Sequence, residues 1–241
     1  MDISLAPNIL TNIYGFPITN TFVWTIFLSL VLVGFFGVMR LFWSVVPGRA
    51  QSVVELLIGG GFSFVESVIG DYEKAKKAFP LVMTFFIFIL LANLFTFMPG
   101  QGAISIKTEG GSVSLFRAVM SDYGMVFALT MITVITVQVI AIIVNGPLGY
   151  LGKFINFKSP LSFILGVMDI IVEFAKILSL SFRLFGNIFA GEVLGGVMLF
   201  LMPFVVPTAF LFLGVLSAVI QAFVFSVLTL VFISQASEKI N

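Results

Sequence analysis

The sequence contains no cysteine and no histidine. Without cysteine there is no disulfide, no thiolate nucleophile and no thiolate metal site, and the redox compartment stays undetermined. Without histidine the commonest general base, proton shuttle and transition-metal ligand is missing. Charge is scarce as well: 10% of residues are Asp, Glu, Lys or Arg, against about 25% in ordinary globular domains. A net charge of +1 offers no basic face to nucleic acid. Residues 1–20 include Asp2 but neither lysine nor arginine, so the basic start of a cleavable signal is lacking. Targeting is then expected to reside in the first spanning helix.

What fills the chain is apolar. Of its 241 residues 60% are hydrophobic and the mean hydropathy is +1.20, which places it among integral membrane proteins with several spans in one bundle. Residues 1–20 read as a short extramembrane lead. An apolar run over 21–46, interrupted near its end by Arg40, is a first span stopped by Pro47 and Gly48. Over 51–70, Glu55 and Glu66 flank Gly59, Gly60 and Gly61, and the short apolar stretch predicts an amphipathic or re-entrant helix at the interface. Residues 71–77 are the most charged segment and read as wet. Residues 80–98 form a second span closed by Pro99 and Gly100, and 101–121 a polar, glycine-rich loop with Lys107, Glu109 and Arg117. A third span over 122–144 contains the polar Gln138, and 145–159 is a loop with Lys153 and Lys158.

Ser159 and Pro160 read as an N-cap and a first-turn proline. The stretch 160–202 then runs on without another proline and would measure about 60 Å as one helix, whereas hydrocarbon needs only about 20 residues. By itself it favours two spans joined by a tight turn near residues 186–196 over one steeply tilted helix. Pro203 and Pro207 follow, and 208–233 is the last span.

Basic residues set the orientation. Arg40, Arg49, Lys74, Lys76 and Lys77 cluster on one side, and Lys153 and Lys158 join them after two further spans. The positive-inside rule makes these loops cytoplasmic, with the N-terminus outside and the C-terminus, carrying Lys239, inside. There is no internal repeat of the inverted-repeat transporter kind.

Within the long stretch, Asp169, Lys176 and Arg183 follow at seven-residue steps and fall within about 40° on one helix face. Asn187, one turn beyond Arg183, continues that stripe. Glu192 lies about 180° round from Arg183 and about 13.5 Å further along, a spacing suited to two environments separated by protein. Gln221, Ser217 and Gly214 share a face of the last span and offer Arg183 a polar partner. An intramembrane arginine costs roughly 2.5–3.5 kcal/mol on insertion scales and marks function by default. Plainer readings remain for its neighbours: Lys176 with Asp169 as an intrahelical pair, Glu173 facing water or headgroups, and Gly191 with Gly195 as a small-residue packing step.

These residues carry a resemblance. LSLSFRLFGNIFAGEVL (178–194) followed by IQAFVFSVLTLVFIS (220–234) resembles subunit a of the F-type ATP synthase membrane sector, of bacterial or plastid type. VPGRAQSVVE (46–55), FPL (79–81) and NLFTFMPG (93–100) extend it over most of the chain. The resemblance implies an all-α integral membrane protein with five crossing helices, an interfacial amphipathic helix, and a long steeply tilted helix pair facing a ring of c subunits. It implies that Arg183 faces the ring carboxylate, that Asn187, Glu192, Gln221 and Asn93 belong to an outer half-channel, and that Asp169, Glu173 and Lys176 lie near the cytoplasmic exit. Partners implied are the c-ring, the peripheral-stalk subunit b, membrane lipid and a translocated H⁺ or Na⁺. The setting implied is the bacterial inner membrane, or the thylakoid membrane for a plastid protein. No cofactor, no metal and no covalent catalysis are implied.

Departures are few. Some members have histidine at the Gly214 or Glu192 position, some an aspartate at the Thr96 position, and many a proline at the Ile177 position. A rival reading is a stand-alone secondary transporter that uses Arg183 to bind an anionic substrate; it calls for internal repeats and a broken helix at midplane. An intramembrane hydrolase would want His, Cys or paired acids at membrane depth, which the sequence does not offer.

Overall fold

The computed structural model describes residues 9–13, 16–44, 47–97, 105–108, 111–114, 117–154, 160–201 and 205–238. Six helices dominate: α1 (Asn20–Leu41), α2 (Arg49–Ile69), α3 (Tyr72–Phe95), α4 (Tyr123–Phe154), α5 (Pro160–Leu201) and α6 (Val205–Ala236). Two short antiparallel hairpins accompany them, β1 (Ile9–Ile13) with β2 (Phe16–Thr19) and β3 (Ser105–Thr108) with β4 (Gly111–Ser114). The expected stop at Pro99 and Gly100, the Ser159 cap, Glu109, Lys158, Pro203 and Lys239 lie outside the described residues.

Local chemistry sets the helix boundaries. Thr19 caps α1 by accepting from the Phe22 N–H at 3.2 Å. The helix stops at Leu41 rather than 46. The chain then turns because the Gln51 amide donates to the Ser44 carbonyl at 2.9 Å and accepts from the Ser44 N–H at 3.2 Å. Gly70 ends α2 in the left-handed region at φ +72, and Asp71 caps α3 by accepting from the Lys74 N–H at 3.1 Å. The charged segment 71–77 is thus the cap and opening turns of a helix. Pro80, expected to open the second span, sits inside α3. Its missing N–H leaves the Lys76 carbonyl without a helical donor, and Lys76 is exposed.

Three expectations are corrected downstream. The loop over 101–121 ends in a 3₁₀ turn, Val119–Ser121, whose residues are fully buried together with Ala118. This apolar tip completes the core between α3, α4 and α5 instead of facing water. The loop expected over 145–159 is helical to Phe154, because Gly146 at φ +73 and Pro147 kink α4 without ending it. The two-span reading of 160–202 also fails. α5 is one helix of 42 residues, about 63 Å long. Glycine weakens a helix by about 1 kcal/mol per residue, but none of the α5 glycines adopts a positive φ, which the chain would need to turn back there.

Two apolar clusters hold the bundle. Leu28, Phe85, Ile89, Met120, Leu184 and Phe225 centre the first, with Phe85 edge-on to Phe225 at 5.7 Å. Val65, Ala75, Val82, Val137, Leu230 and Ile233 centre the second. Buried hydroxyls are satisfied by carbonyls one turn back, as Thr130 with Val126 at 3.0 Å and Ser226 with Ala222 at 2.9 Å, the only inexpensive arrangement away from water. At one end Thr21 donates to Asp122 at 2.7 Å; at the other Lys74 donates to the Ser237 carbonyl at 3.2 Å. The start of α1 therefore shares an end with the start of α4, and the start of α3 shares an end with the close of α6.

Five helices are long and apolar enough to cross a membrane: α1, α2, α3, the Tyr123–Gly152 part of α4, and the Phe210–Ala236 part of α6. Length and composition thus allow α2 to cross, where the sequence pattern places it at the interface. α5 carries Asp169, Glu173, Lys176, Arg183 and Glu192, and is long enough to cross at a steep tilt.

Candidate functional site

The charged seam runs along α5. Arg183 is exposed on the surface of the chain, and its hydrogen bond goes to Ser179 on its own helix at 3.3 Å. The partnership expected with Gln221 is not formed. The outer surface of α5 and α6 is apolar and uncovered: Leu178 and Phe182 on the helix of Arg183, and Leu216, Val219, Ile220 and Phe223 on α6, are all exposed. A guanidinium here has one hydroxyl as its partner and an open side facing outward.

Toward the Asp122 end, Asn187 is tied to α6. Ser217 donates to its carbonyl oxygen at 2.7 Å, and its amide approaches the Ser217 carbonyl at 3.5 Å. Gln221, one turn on from Ser217, is buried. Glu192 is half-buried, has Ser121 as a hydrogen-bonding neighbour and lies within electrostatic range of Arg117. Arg117 itself donates to Ser121 at 3.3 Å. Asn93 is 0% exposed, and neither its oxygen nor its nitrogen finds a partner among the described residues. Burying an amide unpaired costs roughly 1–3 kcal/mol, so Asn93 is a position that calls for water. Gly214 is packed under the Phe97 ring, which a Cβ would meet at 2.4 Å. The place of a side chain at 214 is taken by that ring.

Toward the Lys74 end, Glu173 is half-buried and held between two helices rather than directed at bulk water or headgroups. One carboxylate oxygen accepts from Lys176 at 3.1 Å and the other from Gln138 of α4 at 3.0 Å. Lys176 therefore pairs with Glu173, not with Asp169, which is half-buried nearby on α5. Lys176 also stands over the Phe232 ring at 4.9 Å. Tyr150 donates to the Gln138 oxygen. These groups line a cavity of about 80 Å³ between α4, α5 and α6. Gly191 and Gly195, read as a packing step, face open space instead. Along α5 the two polar regions lie about 10.5 Å and 13.5 Å either side of Arg183, at Lys176 and Glu192.

Four contributors escaped sequence reasoning as site residues: Arg117, Ser121, Tyr150 and, as more than a polar interruption, Gln138. The first two sit in a segment that reads as a loop, and Tyr150 reaches the site only through the kink at Gly146. No periodicity signals either.

Fold and seam define a multi-pass helical membrane protein whose longest helix carries an arginine between two polar regions. The chain is matched over residues 21–234 by the family model of the ATP synthase A chain. It is 37% identical over 219 residues to the ATP synthase subunit a of Moorella thermoacetica, covering 90% of each chain. It is 36% identical to that of Desulfotalea psychrophila, over 90% of this chain and 83% of the relative. It is 31% identical to the ATP synthase subunit a, sodium ion specific, of Propionigenium modestum, over 96% of this chain and 78% of the relative. The chain belongs to the ATP synthase A chain family.

Proposed function

We propose that this chain is the stator subunit of a rotary ATP synthase membrane sector, carrying H⁺ or Na⁺ to and from ring carboxylates through two offset half-channels. The observation that carries this reading is Arg183: a guanidinium at membrane depth, exposed on an uncovered apolar face, with one serine hydroxyl as its partner. Such a charge is expensive in hydrocarbon unless something of opposite sign meets it, and the surrounding face is fit to receive another apolar helix surface. The carboxylate of a passing c subunit is that partner.

A ring carboxylate arriving from lipid is neutral, since an ionised one in hydrocarbon is too costly. Opposite Arg183 its ionised form is favoured, and the ion departs into the half-channel it faces. Binding of the next ion from the other half-channel lets the site re-enter lipid, and the ring steps. Arg183 also bars direct passage between the two aqueous paths. Asn187, Glu192, Gln221 and Asn93 serve the outer path, with water at Asn93, and Asp169, Glu173 and Lys176 the cytoplasmic exit. Each elementary charge yields about 2.3 kcal/mol per 100 mV; the chain itself does no covalent chemistry.

The basic cluster puts the Lys74 end in the cytoplasm. With Arg49 opening α2 and Lys74, Lys76 and Lys77 following it, both ends of α2 belong on that side, which favours the interfacial placement. The peripheral-stalk subunit b and lipid cover the remaining apolar surface.

The test is ATP-driven ion pumping by the assembled complex in inverted vesicles. Arg183→Ala is expected to abolish it. Pumping that survives would return Arg183 to a structural role and revive the transporter reading.

A further inference from the structure

Gln138 interrupts an apolar span, and the reading above gives it no task. In the structure its amide joins two helices. Nε2 donates to Glu173 of α5 at 3.0 Å, and Oε1 accepts from the Tyr150 hydroxyl. An amide fixes which end it shows to a carboxylate when its oxygen has a donor of its own, and Tyr150 is that donor. Tyr150 stands twelve residues further along the same helix, which in a straight helix would put it about 18 Å away. The left-handed Gly146 and the following Pro147 fold the end of α4 back and close that gap.

Lys176, only three residues from Glu173 on α5, would by itself leave the carboxylate free to follow its flexible chain. Gln138 binds the second carboxylate oxygen to α4. The cavity beneath these groups measures about 80 Å³ and has Asn145 and Gln235 in its wall. One water needs about 10–15 Å³ of such volume and two to four polar partners. The site therefore has both room and partners for more than one.

We propose that Gln138 and Tyr150 are positioning residues of the cytoplasmic half-channel: the folded-back end of α4 aims Glu173 into a water-filled cavity that ions cross between Arg183 and the cytoplasmic side. The proposal rests on the stator reading above.

The experiment uses the assembled complex in inverted vesicles, with passive ion conductance measured after the catalytic head is stripped off. Tyr150→Phe removes only a hydroxyl, and is expected to lower conductance about three- to tenfold, as for loss of one hydrogen bond. Gln138→Leu should do the same, and the double variant should fall no further than Gln138→Leu alone, because Tyr150 acts through Gln138. The natural chain has no cysteine, so Gln138→Cys gives a single thiol. It should react with a membrane-impermeant reagent from the Lys74 side, while Ile135→Cys, exposed on the bundle surface, should not.

Unchanged conductance in Tyr150→Phe overturns the proposal, as does a double variant whose losses multiply. An unreactive Gln138→Cys in an assembled complex overturns the water-filled cavity. Loss of assembled complex in Tyr150→Phe, read from the amount of chain in the membrane, assigns the hydroxyl to folding and overturns it too. Survival of pumping in Arg183→Ala would sink the stator reading; a functional Arg183 beside an indifferent Tyr150 would sink only this inference.

Discussion

Arg183 and Glu192 lie on one helix, yet their surroundings differ. Arg183 opens outward onto an uncovered face, while Glu192 is folded inward toward Ser121 and Arg117. Glu192→Gln keeps shape and hydrogen bonding but removes the charge; it is expected to slow ATP-driven pumping about tenfold, a barrier increase of about 1.4 kcal/mol, without abolishing it. Undiminished pumping at every pH tested would remove Glu192 from the outer path. Asn93 offers a sharper separation of folding from transport. Replacing an unpartnered buried amide by an apolar group of similar shape is nearly neutral or stabilising. Asn93→Leu should therefore hold or raise the thermal unfolding midpoint in detergent while slowing passive conductance; unchanged conductance would leave Asn93 without a part in the path.

Among the elements, the contact between α6 and the end of α3 is the least forgiving. Gly214 lies so close to Phe97 that any Cβ there must displace the ring. Gly214→Ala is expected to destabilise the protein by about 1–3 kcal/mol, the usual range for overpacking. Phe97→Leu in the same chain should restore most of that loss. Thermal unfolding of the two variants and their combination measures it; additive losses would show that the ring is not what Gly214 accommodates. The same contact accounts for the absence of a larger side chain at 214: the space belongs to Phe97. At Gly186, Gly191 and Gly195 of α5, by contrast, a Cβ would meet open space rather than a neighbour. A turn there would need left-handed backbone that these residues do not adopt.

For the whole molecule, two ties define opposite ends: Thr21 to Asp122, and Lys74 to the Ser237 carbonyl. The side of the membrane assigned to one end fixes that of the other. Lys74→Cys and Ser237→Cys should react with an impermeant thiol reagent added outside inverted vesicles, where the cytoplasmic face is exposed, and Tyr123→Cys only after the vesicles are opened. Reaction in the reverse pattern would invert the topology and with it the assignment of inner and outer paths. The broad apolar surface of α5 and α6 is expected to be covered by the ring on one side and by lipid and the peripheral stalk elsewhere.

Hydropathy, proline and charge placed the spans, because each is a one-dimensional property: a helix must be apolar over about 20 residues to cross, and basic loops stay inside. The motif around Arg183 and its downstream partner in α6 was likewise legible, since an arginine in such a run is too costly to be incidental. Boundaries were less so. Pro80 read as the opening of a span and residues 145–159 as a loop, but α3 accommodates Pro80 on an exposed edge and α4 merely bends at Gly146 and Pro147. The long stretch over 160–202 allowed a turn that only the observed φ angles exclude. Partnerships were not legible at all. Periodicity ranks residues by face within one helix, but which hydroxyl or amide stands opposite depends on how helices distant in sequence pack. Lys176 chose Glu173 over Asp169, Asn187 met Ser217, and Arg117 and Tyr150 entered the seam by backbone bends. The sequence by itself determined a membrane bundle with an arginine in a long apolar run, through the free energy of apolar burial and charge. The tertiary structure decided which polar groups share each side of that arginine, because contacts between separate helices follow from packing, which no single helix encodes.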